Sequence, residues 1–153
     1  FYLAFKAREH DFYPEFVELA GKVNQAQPEF CVRRIERSLN DAGKPVKGSR
    51  ILILGASYKP GIGDTRESPA LRIIALLHDL GAEVAYHDPF VPELPDLGLT
   101  SVNLNEGLAT ADLLAIVTAH PNVDHAAAIA AVPKAIDFRG ISRGLDATNV
   151  ERL

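Results

Sequence analysis

Methionine is absent from all 153 residues, position 1 included, and cysteine occurs once, as Cys31. A native chain starts with Met unless it is processed, so Phe1 is read as an internal starting point within a longer protein. One cysteine excludes an internal disulfide and a metal site built from several thiolates, and it favours a reducing, cytoplasmic setting. No apolar run nears the roughly 20 residues that span a bilayer, and no signal-peptide pattern opens the chain, so no membrane partner is expected. An excess of positive charge is missing too. The formal net charge of −4 argues against a general nucleic-acid binder. Any anionic ligand must therefore be held by local cations.

What remains is the composition of a soluble globular protein, with length for one full domain and a little more. Residues 1–42 read as helical. Tyr2–Arg8 suits one short helix, and apolar residues then recur at helical steps, first Phe16, Ala20 and Val23, then Cys31, Ile35 and Leu39. Pro28 lies between these sets and is expected to kink or split the helix, because it lacks the donor N–H. The turn-rich stretch 42–49 marks the domain boundary, leaving 1–42 as a helical segment and 43–153 as the domain proper.

Past this linker the pattern changes. Ile51–Leu54 is the all-apolar run of a strand buried on both faces. Ser68 and Pro69 form an N-cap and first-position pair, opening a helix that lines up Leu71, Ile74, Ala75 and Leu77 and stops at Gly81. Glu83–His87 reads as a second strand, 90–99 as a Pro-rich loop, Ser101–Leu104 as a short strand and Asn105–Thr110 as a short helix. Leu113–Val117 is a central strand, His125–Ala131 a helix and Ala135–Phe138 the last strand. Strands alternating with helices predict an α/β domain of three layers with a mostly parallel sheet, preceded by the N-terminal helical segment.

The segment with most chemistry is Gly55–Ala70, between the first strand and the helix. Of the dinucleotide fingerprint G-x-G-x-x-G, Gly55-Ala56-Ser57-Tyr58-Lys59-Pro60 keeps only the first glycine, which argues against a self-contained NAD site. No Gly-Lys-Ser/Thr follows, so it is not a P-loop either. The turn instead offers Lys59 and Arg66, and Arg139 follows a strand ending on the same sheet edge. Three converging cations would suit a pyrophosphate. Each has a plainer reading: Lys59 as a solvated loop lysine, Arg66 as a partner of Asp64 or Glu67, Arg139 as a surface arginine paired with Asp137. Asp88 is read as forming the turn before Pro89 in preference to binding ribose. His87, His120 and His125 lack ligand-like spacing, so no metal is expected. Cys31 is read as a packed core thiol, not a nucleophile.

The stretch Tyr58-Lys-Pro-Gly-Ile-Gly-Asp-Thr-Arg-Glu-Ser-Pro69 resembles the hallmark of the UDP-glucose/GDP-mannose dehydrogenase family. Phe1–Glu9 and Glu18–Asn24 resemble the long helix joining the family's two Rossmann-like domains, and Asp137–Ile141 its later D-x-R element. The resemblance runs the length of this chain and covers about the C-terminal third of a whole enzyme. It implies a Rossmann-like UDP-binding domain of an NAD-dependent nucleotide-sugar 6-dehydrogenase, which oxidises a C6 hydroxyl to a carboxylate with two NAD. By position, Tyr58 and Lys59 would contact the nucleotide sugar, Arg139 its phosphates, and Arg66 the NAD held by the preceding domain. Tyr58 stands where many members have phenylalanine.

The family's catalytic cysteine, lysine and asparagine and its NAD fingerprint would all precede Phe1. No catalytic residue is thus expected here, and the piece alone is expected to be inactive. The resemblance also implies a homodimer through the N-terminal helix. UDP is favoured over GDP, and the opening residues lean towards UDP-N-acetylhexosamine over UDP-glucose. The alternative is a stand-alone nucleotide-sensing or assembly module without catalysis.

Overall fold

A computed structural model of the chain describes Lys6 and residues 13–153. The short helix expected over Tyr2–Arg8 lies, Lys6 apart, outside the described residues. Helix α1 spans Glu15–Asp41 and runs without a break through Pro28, so the expected split does not occur. Its C-terminal half buries Cys31, Val32, Ile35 and Leu39 in the domain core. That packing outweighs the roughly 3 kcal/mol of a proline inside a helix. The N-terminal half is different: Phe16, Leu19 and Val23 are exposed, so only part of the apolar periodicity marks this chain's own core.

The main sheet contains β1 (Arg50–Leu54), β2 (Glu83–His87), β5 (Leu113–Ile116), β6 (Ala135–Asp137) and β7 (Val150–Arg152). Its order is β2-β1-β5-β6-β7, and every pairing is parallel. Residues alternate between two cores, as a period of two requires. Ile51 and Ile53 pack with α1 and with α2 (Pro69–Asp79), while Leu52 and Leu54 pack with α3 (Leu104–Thr110) and α4 (His125–Ala130). The result is the expected three-layer α/β domain. Ser68 caps α2 by accepting the Ala70 N–H at 3.3 Å, with Pro69 at the first position as expected.

Three strand assignments change. The loop 90–99 contains a small antiparallel pair, β3 (Glu93–Leu94) and β4 (Leu99–Thr100), joined by the 3₁₀ turn Pro95–Leu97. Ser101–Leu104 is not a strand, because Asn103 accepts the N–H groups of Asn105 and Glu106 and so starts α3. The last strand is β7, not β6. It pairs with β6 from Ala135↔Val150 to Asp137↔Arg152. Asn149 reaches the carbonyls of Ile129 and Val132, both at 2.8 Å, and Arg152 those of Ser142 and Leu145. Side chains thus hold this stretch where no apolar alternation announces it.

The chain runs from β1 through α2 to β2 on one side, then crosses back through α3 to β5 on the other. The switch in direction falls between β1 and β5. Open α/β sheets bind ligands beyond the carboxyl ends of strands at that point.

Candidate functional site

The loops after β1, β5 and β6 meet at this switch point. Gly55 opens the first with φ of 88°, and its N–H donates to the His87 carbonyl at 2.9 Å. A Cβ there would lie 2.2 Å from the carbonyl oxygen of Thr118, so the approach of the β1 and β5 loops requires glycine. The next two N–H groups turn inward. Ala56 and Ser57 donate to Asp88 Oδ2 at 2.7 and 2.9 Å. Thr118 Oγ1 donates to the Ser57 carbonyl at 2.7 Å, and the Tyr58 N–H to the Asp64 carbonyl at 2.7 Å.

Asp88 therefore does more than shape its own turn. It does form that turn, accepting the Phe90 N–H at 2.8 Å, but its carboxylate is also buried beneath the first loop and meets His120 Nε2 at 2.9 Å. Burial opposes its ionisation. The N–H groups of Phe90, Ser57 and Ala56, with His120, outweigh that penalty and hold the carboxyl below its ordinary range. The amides that a dinucleotide pyrophosphate would use are already occupied by an anion of the protein itself. These residues do not fit NAD at this turn.

Tyr58 and Lys59 stand on the outer side of the same loop, both exposed, with Lys59 Nζ 5.5 Å from the centre of the Tyr58 ring. They line an open cleft of about 920 Å³ together with Phe138 and Arg139 from the β6 loop and Asn24 and Gln27 from α1. Of the three cations expected to converge, Lys59 and Arg139 are thus brought to one cleft, together with Tyr58. The expected alternative for Arg139 takes another form. Buried Asp137 accepts the backbone N–H groups of Arg139 and Gly140 and both donors of Ser142, which fixes the loop. The Arg139 guanidinium forms no ion pair among the described residues.

Arg66 lies outside this lining. Its exposed guanidinium grips half-buried Asp64 through two hydrogen bonds of 3.0 and 2.8 Å. The bond to Arg66 lowers the Asp64 pKa to about 2. Between Arg66 and the Ser68 cap, Glu67 adopts φ of 61°, a left-handed conformation costly for a residue with a Cβ, and it lies on the cleft wall. Cys31 is on that wall too, but burial pushes its thiol up to about 11, which removes its thiolate and fits the core reading. Among the described residues no group of His, Cys, Asp and Glu could hold a metal, and no helix is long and apolar enough to cross a membrane. A second cavity of about 510 Å³, bordered by Arg50, His78 and Glu83, sits at the opposite, amino ends of β1 and β2.

Residues 52–143 match the model of the UDP-glucose/GDP-mannose dehydrogenase family, UDP binding domain. The chain belongs to this family. It is 28% identical over 161 residues to a UDP-N-acetyl-D-mannosamine dehydrogenase of Pyrococcus horikoshii, spanning 94% of this chain and 37% of that protein. It is 39% identical over 83 residues to a UDP-glucose 6-dehydrogenase of Bacillus subtilis, spanning 53% and 17% respectively. The fold is similar to that of a solved UDP-glucose dehydrogenase from Pyrobaculum islandicum, with a TM-score of 0.79 and 23% identity over 97% of this chain and 34% of that one. The chain spans well under half the length of each. In this chain the loop thus carries both a solvent face, with Tyr58 and Lys59, and an inward face built on Asp88 and His120. Reasoning from the sequence missed His120 as a site residue, because its spacing was tested only against metal ligation.

Proposed function

We propose that this chain is the nucleotide-sugar-binding domain of an NAD-dependent UDP-sugar 6-dehydrogenase, with residues 43–153 as the domain proper and 1–42 as a helical segment that leads into it and adds Asn24 and Gln27 to the cleft. The carrying observation is the convergence of Lys59 and Arg139, from loops 80 residues apart by their numbers, on one cleft at the switch point of a domain of this family. In this reading Tyr58 packs on the nucleotide sugar, Lys59 supplies a point charge and Arg139 a fork to the diphosphate. The chain's contribution to catalysis is positioning, with the reacting groups on the portion that precedes it.

Arg66 faces NAD held by that preceding domain and exchanges part of its Asp64 contact for the cofactor's phosphate. When bound, NAD accepts hydride from the sugar carbon. The protein acts in the cytoplasm, and the exposed apolar residues Phe16, Leu19 and Val23 support a role for α1 in a homodimer. The names of the two relatives favour UDP over GDP and leave both N-acetylhexosamine and glucose as the sugar class.

The test is calorimetric titration of UDP into the full-length protein. Arg139→Ala is expected to lose about 1.5–3 kcal/mol of binding, the range for hydrogen bonds to charged groups. Unchanged affinity overturns the assignment of Arg139.

A further inference from the structure

His120 is fully buried at the end of the β5 loop and belongs to none of the cleft walls. Its ring nevertheless meets both ends of the turn that presents Tyr58 and Lys59. At one end the Gly61 N–H donates to Nδ1 at 3.1 Å, which requires an unprotonated Nδ1 and places the ring proton on Nε2. Nε2 then donates to Asp88 Oδ2 at 2.9 Å and lies 3.2 Å from Ser57 Oγ, at the other end of the turn. Ser57 Oγ in turn donates to the carbonyl of Lys59 at 3.0 Å. Only Tyr58, Lys59 and Pro60 lie between the two anchored residues. The Phe90 ring, 5.0 Å from the imidazole centre, is tilted against it.

Serine, histidine and aspartate within hydrogen-bond reach invite comparison with a nucleophilic triad. The geometry excludes it: Ser57 and Asp88 meet the same ring nitrogen, whereas a relay needs them on opposite nitrogens. All three residues are also buried away from any substrate.

We infer that His120 is a positioning residue of the nucleotide-sugar site, an imidazole clamp joining Ser57 to Gly61 and holding Tyr58 and Lys59 ready for the ligand. This rests on the reading of the cleft as a UDP site. A turn of three residues tied at both ends has little freedom left to lose, so affinity gains from preorganisation. The two ring nitrogens have separate tasks, and two substitutions separate them. In His120→Asn the carboxamide oxygen lies near the place of Nδ1 and accepts the Gly61 N–H. In His120→Gln the carboxamide nitrogen lies near the place of Nε2, donating to Asp88 and abandoning Gly61.

The experiment compares both variants with wild type in the full-length protein. Three readouts are taken: UDP affinity by calorimetry, exchange of the Gly61 amide hydrogen, and thermal stability. His120→Gln is expected to weaken UDP binding about tenfold and speed Gly61 exchange at least as much, while His120→Asn stays within about threefold on both. Losses of affinity that merely follow the two melting temperatures, or equal affinity in both variants, overturn the clamp. If wild type fails to bind UDP, the functional reading falls; Gly61 exchange still decides the clamp, since unchanged protection in His120→Gln refutes it. Should that variant not fold, Ser57→Ala removes both the contact with Nε2 and the Ser57 Oγ bond to the Lys59 carbonyl, a bond that His120→Asn keeps, and unaltered affinity and unaltered exchange across 58–61 refute the clamp equally.

Discussion

Replacing Asp88 by asparagine keeps the size of the side chain and removes the one property the site uses fully, acceptance on every side. The carboxylate takes N–H donors from Ala56, Ser57 and His120 on Oδ2 and from Phe90 on Oδ1. An amide has one oxygen. Its least damaging orientation keeps that oxygen on the three-donor side and turns its NH₂ against the Phe90 N–H. The donor left unmade costs about 1–3 kcal/mol. Three bonds to a charged acceptor become bonds to a neutral one, losing together about 2 kcal/mol. Relief from burying a charge offsets about 1 kcal/mol, so Asp88→Asn is expected to destabilise by roughly 2–4 kcal/mol. For a chain of this size that is a fall in melting temperature of about 5–15 °C. Calorimetry at neutral pH measures it, and a loss below about 1 kcal/mol refutes the account. The pH dependence is a second check. The folded Asp88 pKa lies below the unfolded value. Its stabilisation is therefore complete above the ordinary carboxylate range and is lost as pH falls through the folded value. The gap between wild type and Asp88→Asn must narrow on acidification; a constant gap from pH 7 towards pH 3 sinks the assignment.

Gly55→Ala places a methyl 2.2 Å from the Thr118 carbonyl oxygen at a φ of 88°, and a loss of at least about 3 kcal/mol is expected in chemical denaturation. A loss below 1 kcal/mol would mean the β1 and β5 loops separate easily. Arg66→Ala in the full-length protein is expected to raise the KM for NAD about tenfold while UDP affinity stays within about twofold, because Arg66 lies outside the cleft lining. Weakened UDP binding with an unchanged KM for NAD would reverse its assignment.

The elements legible in the sequence are those whose neighbours in the chain are also their physical cause. The apolar runs at Ile51–Leu54 and Leu113–Ile116 have to be strands buried on both faces, and the Ser68-Pro69 pair has to start a helix. Elements set by distant partners were not legible. Pro28 lies inside α1 because the following turns are anchored in the core, and β7 contains Glu151 and Arg152, so it shows no apolar run. The site divides in the same way. Lys59 and Arg139 were expected as cations on one sheet edge, and the resemblance added Tyr58; the cleft lines up all three. His120 acts on residues 59 and 63 positions away, a relation that no local spacing carries.

The fate of the Ala56 and Ser57 amides explains why the charged residues sit where they do. In a dinucleotide fold these groups would point at a pyrophosphate; here they bind Asp88, so a phosphate approaching them would meet a buried carboxylate and have to displace it. Two unit charges 4 Å apart interact by about 4 kcal/mol at an effective dielectric near 20, and here the sign is repulsive. On the proposed reading, an anionic ligand is turned away from the backbone of the loop and towards its outer face, where Lys59 and Arg139 line the cleft. The same carboxylate accepts a hydrogen bond from His120 Nε2 and so orients the ring whose Nδ1 accepts the Gly61 N–H. One buried charge thus closes the inner face of the loop to phosphate and, on that same reading, holds the outer face in shape to receive it.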